Sequence, residues 1–302
     1  MNKAKGAMLS AMVIFGTVGI FVRYIGLPSA TVACFRGVLG AVVLLAVMGL
    51  SGKKLHRQSI RENMLLLILS GAAMGGNWIA LFEAYRYTSV AVATVCYYLA
   101  PMFLVLACPL LGERLTGKKL ALSGVALVGM VFVSGALDSG VTGFRGIALG
   151  VVAAALYASV MFMNKKLGDI SAYDKTVVQL AAAAVVILPY CLLTGGFAME
   201  QVTFREYILL GVVGIVHTGL AYWLYFGALG QLPSQKVAIF SYLDPVVAIL
   251  LSAVWLKESL GWQEFTGAAL ILGRALCSEL AGKKLRKRVD NSTMVGYNSK
   301  AL

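Results

Sequence analysis

Apolar residues fill this chain in ten long stretches parted by short polar breaks, and most stretches are apolar on every side rather than along one stripe. A helix that is hydrophobic all round faces lipid and other helices, not water. The pattern predicts helices over residues 5–24, 29–51, 63–85, 89–111, 118–137, 144–165, 172–195, 205–229, 234–256 and 263–282. Each has roughly the 20 residues that carry a helix across the hydrocarbon core of a bilayer. The breaks hold turn or charge signals, among them Gly26-Leu27-Pro28-Ser29, Lys53-Lys54-Leu55-His56-Arg57 and Gly112-Glu113-Arg114. The first stretch follows Lys3 and Lys5 as the core of a signal peptide would, but no small-residue cleavage pattern closes it and a second span begins at once. It is expected to be a retained helix.

Composition agrees with this pattern. Of the 302 residues 60% are hydrophobic and 13% charged, against about a quarter charged in soluble domains. A soluble enzyme, a disordered chain and a single-anchor protein are excluded on that ground. An outer-membrane barrel is excluded too, because its strands alternate apolar and polar residues. The five cysteines, Cys34, Cys96, Cys108, Cys191 and Cys277, all fall in apolar stretches and lack CxxC spacing, so they are expected to pack rather than pair or bind metal.

The net charge of +13 has a topological reading. If odd and even loops alternate sides, 19 of the 26 Lys and Arg lie on one side and five on the other, with Arg36 and Arg274 inside helices. Positive charge collects on the cytoplasmic side, so both termini are expected there, with the chain in the plasma (cell inner) membrane. No nucleic-acid partner is expected. The run Lys283-Lys284-Leu285-Arg286-Lys287-Arg288 opens a basic cytoplasmic tail, 283–302, suited to anionic lipid headgroups.

The sequence also repeats itself at an offset of about 144 residues. Phe82-Glu83-Ala84 leads to Tyr98-Leu99-Ala100-Pro101, and Phe226-Gly227-Ala228 leads to Tyr242-Leu243-Asp244-Pro245 at identical spacing. Gly112-Glu113-Arg114-Leu115 answers Lys257-Glu258-Ser259-Leu260 after one inserted residue, and Gly129 answers Gly273. The halves divide as 1–140, helices 1 to 5, and 141–282, helices 6 to 10. Five is odd, so the second half enters from the opposite side and the repeats are inverted, as in many secondary transporters with a site near the midplane.

The paired blocks Ala84-Tyr85…Pro101…Gly112-Glu113-Arg114-Leu115-Thr116 and Ala228…Tyr242-Leu243-Asp244-Pro245…Glu258-Ser259-Leu260 resemble the EamA repeats of the drug/metabolite transporter superfamily. The resemblance covers nearly the whole chain. It implies an all-α membrane protein of ten helices, both termini inside, with a cavity lined mainly by helices 1–4 and 6–9 and helices 5 and 10 behind. Two positions depart from the family pattern: Phe15-Gly16 stands where Trp-Gly is common, and Arg274 where the last helix is usually apolar or Gly.

Asp244 is the sharpest candidate for function, since a charge at mid-membrane costs about 2.5–3.5 kcal/mol on insertion scales. It suits a counter-charge for a substrate ammonium, a proton carrier, a structural ion pair or a helix-break cap. Pro101 and Pro245 each lack an N–H and clash with the carbonyl four residues back. They free the carbonyls of Tyr97 and Ser241, which need partners at that depth. Arg36 can clamp a carboxylate, pair with Asp244 or Glu83, or snorkel; Arg274 can snorkel or pair with Glu279. Asn77, Trp78, Tyr98, Tyr157, His217, Tyr222, Ser241 and Tyr242 complete the candidate set, as a partly aromatic cavity or as packing. His217 is either a proton site or a hydrogen-bonded core histidine.

These readings predict a secondary transporter for a small polar or zwitterionic, amino-acid-like metabolite, with export the expected direction. No cofactor is expected beyond a coupling proton or ion. Efflux of lipophilic cations is the alternative. An intramembrane enzyme has little behind it, with one deep aspartate and no nucleophile motif, and no Walker A sequence supports an ATP-driven pump. A scaffold has no feature in its favour.

Overall fold

The computed structural model describes residues 2–112, 115–133, 143–193, 202–229, 231–232, 234–258, 261–273 and 277, and every regular element among them is helical. The chain runs through α1 (Asn2–Arg23), α2 (Ser29–Leu50), a short α3 (Arg57–Glu62), α4 (Met64–Tyr87), α5 (Val90–Tyr97) and α6 (Ala100–Leu106). A 3₁₀ turn (Cys108–Leu111) leads to α7 (Gly117–Val133), followed by α8 (Phe144–Lys166), α9 (Ala172–Leu193) and α10 (Phe204–Gly214). A π-helical turn (Ile215–Leu220) joins α10 to α11 (Ala221–Leu229); α12 (Ser234–Ser241), α13 (Leu243–Trp255) and α14 (262–273) complete the described elements. Among the described residues six helices are long and apolar enough to cross a membrane, the α10–α11 run counted as one, and Val90–Leu106, Ser123–Phe132 and Leu243–Trp255 are shorter apolar segments.

Two expectations need correction. The hydrophobic pattern predicts one helix over 89–111, yet the backbone breaks at Tyr98 and Leu99, between α5 and α6. It predicts one helix over 234–256, yet that breaks at Tyr242, between α12 and α13. The cause is the same at both sites: Pro101 and Pro245 remove a donor and exclude the carbonyl four residues earlier. The helix predicted over 205–229 is present as one run, Phe204–Leu229, with a π turn inside it that hydropathy does not register. Arg274, Glu279 and the tail 283–302 lie outside the described residues, as do Glu113 and Arg114.

The helices pack mainly across the two halves of the sequence. α4 lies along α8 and α9, α2 along α9 and the π turn, α1 along α11 and α13, and α8 also against α5 and α6. Small residues set the separations. A Cβ at Gly129 of α7 would fall 2.9 Å from the Gly267 carbonyl of α14, so this pair touches backbone to backbone. Buried amides add specific ties. Asn77 Nδ2 donates to the Ala153 carbonyl of α8 at 2.6 Å, and Gln179 Nε2 donates to Ser70 Oγ at 2.6 Å and Asn164 Oδ1 at 2.8 Å. The outward faces carry Val42, Leu65, Val185 and Leu250 exposed, as lipid contact requires.

Candidate functional site

The two helix breaks meet. Tyr98 caps the end of α5, where its N–H is shared between the Thr94 and Val95 carbonyls at 3.1 Å each. Asp244 lies in the first turn of α13, where free N–H groups favour a carboxylate. The Tyr98 hydroxyl donates to Asp244 Oδ2 at 3.0 Å. α1 closes on this junction at Gly16, where a Cβ would stand 2.6 Å from the Asp244 carbonyl oxygen and 2.7 Å from Val247 Cβ.

A second polar centre forms around Arg36 of α2, which is 6% exposed. Its guanidinium lies over the Trp78 ring, 4.4 Å from the centroid, with Phe82 at 5.6 Å. Its Nε donates to Thr218 Oγ1 at 2.9 Å, and Thr218 in turn donates to the Val213 carbonyl at 3.0 Å. Next to Thr218 in the π turn, His217 Nδ1 meets the Val212 carbonyl at 3.2 Å and Nε2 meets Thr17 Oγ1 of α1 at 2.8 Å. The Thr17 hydroxyl also donates to the Ile14 carbonyl at 2.7 Å, so the one threonine oxygen joins the imidazole to the backbone of α1. Phe21 covers the imidazole at 4.7 Å.

Arg36 and Asp244 do not pair. Among the described residues the ion pair formed is His56 with Asp174, at 3.0 Å, and no carboxylate reaches Arg36. Glu83, the other expected partner, accepts from Ser29 Oγ at 2.6 Å instead. Tyr97 and Tyr222 each lie within electrostatic range of both charges. Tyr97 stacks on Tyr157 at 5.1 Å and meets Tyr98 edge-on at 6.0 Å. Tyr222 stacks on Phe226 at 5.7 Å and tilts against Phe15 at 5.4 Å.

The predicted residues therefore divide. Tyr98 bonds Asp244, Trp78 lies under Arg36, Tyr157 and Tyr222 lie within electrostatic range of Asp244, and His217 sits in the π turn beside Arg36's partner Thr218. Asn77 spends its amide on α8, and Ser241 Oγ donates to the Val237 carbonyl of its own helix at 2.9 Å. Tyr242 occupies the α12–α13 junction, with φ −77° and ψ −7°. Sequence reasoning missed Thr218 and Thr17; the available signal was a hydroxyl in mid-span, too common in membrane helices to single out. No group of three His, Cys, Asp or Glu suited to a metal occurs among the described residues. A cavity of about 230 Å³ lies between α5, α13 and α14, lined by apolar side chains and Glu264; none of the predicted residues lines it.

Comparison with known proteins gives these sites a context. The pattern of the EamA-like transporter family matches residues 3–135 and again 144–278. An uncharacterized transporter of Bacillus subtilis (strain 168), YxxF, is 30% identical over 282 residues, 88% of each chain. A protein of Escherichia coli (strain K12) named as a probable amino-acid metabolite efflux pump is 30% identical over 188 residues, 59% of this chain and 62% of its own. A solved crystal structure at 18% identity aligns over 94% of this chain and 99% of its own with a TM-score of 0.62, a likeness of fold.

Proposed function

The chain belongs to the EamA-like transporter family, and from that premise we propose that it carries a small zwitterionic, amino-acid-like metabolite across the membrane, with Arg36 and Asp244 as the two poles of the site. Family membership makes it a transporter and not an enzyme. One observation carries the substrate reading. Two unlike charges lie within electrostatic range of Tyr97 and Tyr222, each held on its own neutral partners, Thr218 and Trp78 for Arg36 and Tyr98 for Asp244. A zwitterion offers a carboxylate to the first and an ammonium to the second, and removing both from water is repaid only when each charge finds its partner. The names of the Escherichia coli relative and of one in Salmonella typhimurium, probable amino-acid metabolite efflux pumps, support the same class and export as the direction.

Movement proceeds by alternating access between two inverted five-helix repeats, 1–140 and 141–282. The two family matches, 3–135 and 144–278, support this division. So does the packing. Exchanging the halves turns the contact of α1 with α11 into that of α8 with α4, α1 with α13 into α8 with α6, and α2 with the π turn into α9 with α4. The termini are cytoplasmic in the cell membrane, the tail rests on anionic headgroups, and a proton or ion couples the cycle. Efflux of lipophilic cations is the second reading, favoured by the aromatic neighbours of Asp244; it requires Asp244 and not Arg36.

The test is thermal stabilisation of the purified protein by amino acids, amines, sugars and nucleosides, for wild type, Asp244→Asn and Arg36→Gln. Stabilisation by amino acids that disappears in both variants is the expected result. Stabilisation by hydrophobic amines, lost only in Asp244→Asn, replaces this reading with the second. Equal stabilisation of all three proteins removes both residues from the site.

A further inference from the structure

Arg36 reaches its place through a long side chain on a helix that holds no other charged residue. Stacking on Trp78 fixes the plane of the guanidinium but not its rotation within that plane. The rotation is fixed by a single hydrogen bond, Nε to Thr218 Oγ1 at 2.9 Å. With Nε engaged there, the two terminal nitrogens make no hydrogen bond to any described residue, and they form the fork that fits a carboxylate in two parallel bonds. We propose that Thr218 is the positioning residue that aims this fork into the site, and that it thereby sets the preference of the site for a carboxylate over an uncharged amide. The inference rests on the reading of Arg36 as the carboxylate pole.

Thr218 is itself held by three contacts. Its hydroxyl proton goes to the Val213 carbonyl, five residues back, which leaves the oxygen to accept from Arg36. That reach of five residues exists because 215–220 is π-helical; in an α-helix a threonine hydroxyl turns to a carbonyl three or four residues back. His217 Nδ1 likewise meets a carbonyl five residues back, that of Val212, and its Nε2 ties the turn to Thr17 of α1. On the opposite side, a Cβ at Gly40 would collide with the Thr218 methyl, so glycine one helical turn beyond Arg36 is what admits the π turn to α2. Burial is complete at Thr218, and no water replaces the hydroxyl cheaply if it is removed. A binding group whose support is rigid discriminates better than one free to swing.

The experiment uses the full-length protein in lipid nanodiscs and measures affinities for the standard L-amino acids and for their C-terminal amides. The expected result for wild type is an acid bound at least about tenfold more tightly than its amide. Thr218→Val keeps the shape and loses the oxygen; it should reduce that ratio about tenfold, while Thr218→Ser restores it to within about twofold. In an Arg36→Lys background, which has no fork to aim, Thr218→Val should move the ratio no further. If Thr218→Val does not fold, Gly40→Ala serves instead, because it displaces Thr218 without altering its chemistry; the same fall is expected. A ratio unchanged in Thr218→Val, or unchanged in Gly40→Ala, overturns the proposal, as does an equal fall in Thr218→Ser. A wild type that stabilises on amino acids but shows no preference for acid over amide overturns it as well. Absence of amino-acid binding by wild type refutes the substrate reading itself, which the screen above detects separately.

Discussion

The Tyr98 hydroxyl and the Asp244 carboxylate, 146 residues apart in sequence, are joined at 3.0 Å across the breaks of two helices. Tyr98 ends α5, and Asp244 begins α13. Any motion that parts α5 and α6 from α13 must break this bond, so it reports on the state of the site as well as on its stability. Tyr98→Phe should lower the unfolding free energy by about 1.5–3 kcal/mol, the range for a hydrogen bond to a charged group. The same change in an Asp244→Asn background should cost less, because the two share one interaction. Thermal unfolding of the four proteins in nanodiscs measures both; additive losses would show that the pair is not coupled.

The crossing of α1 over α13 depends on Gly16. Alanine there places a methyl 2.6 Å from the Asp244 carbonyl oxygen, which is backbone and cannot turn aside. Gly16→Ala should destabilise by about 1–3 kcal/mol, as overpacking does, and Gly16→Val by more. Gly49, where a Cβ meets nothing within 4 Å, is the control and should accept alanine with no loss of thermal stability.

Glu258 binds α13 to the start of α5. Its Oε2 accepts from the Val90 N–H at 2.9 Å and from the Ser252 hydroxyl. Glu258→Ala leaves the Val90 donor unpaired at a helix N-terminus. Hydrogen–deuterium exchange over residues 89–93 should then quicken about tenfold, the effect of losing roughly 1.4 kcal/mol of local protection. Exchange at α9, which Glu258 does not touch, should stay as it was. Uniform acceleration along the chain would indicate global destabilisation instead.

The charge bias predicts a topology that labelling can read. In a background lacking the five native cysteines, Ser51→Cys should react with an impermeant maleimide only after the cell membrane is opened. Arg145→Cys should react in intact cells. The reverse pattern would invert the orientation and contradict the inside bias of Lys and Arg.

Much of this molecule is readable in its residues one at a time. Length and hydropathy locate the apolar spans, since the bilayer demands about 20 apolar residues from any helix that crosses it. The twin Tyr-Leu-x-Pro blocks at matched spacing mark a repeat, and each proline announces a break because the ring excludes its hydrogen bond wherever the helix lies. Asp244 and Arg36 stand out because charge inside a membrane is too costly to be incidental. What they do with that charge is a matter of neighbours. Composition allows Arg36 to meet Asp244 or Glu83; only packing assigns Arg36 to Trp78 and Thr218, Asp244 to Tyr98 and Glu83 to Ser29. The π turn was equally invisible, because one extra residue in a turn leaves hydropathy unchanged while it shifts every carbonyl that follows. Asn77 is legible as a polar residue in mid-span, but its partner is a backbone carbonyl of α8, which carries no side-chain identity for a sequence to display. The chain's own residues thus determine which groups must be satisfied inside the membrane, and the tertiary structure decides by whom, because a hydrogen bond is a matter of ångströms between elements that the sequence sets far apart.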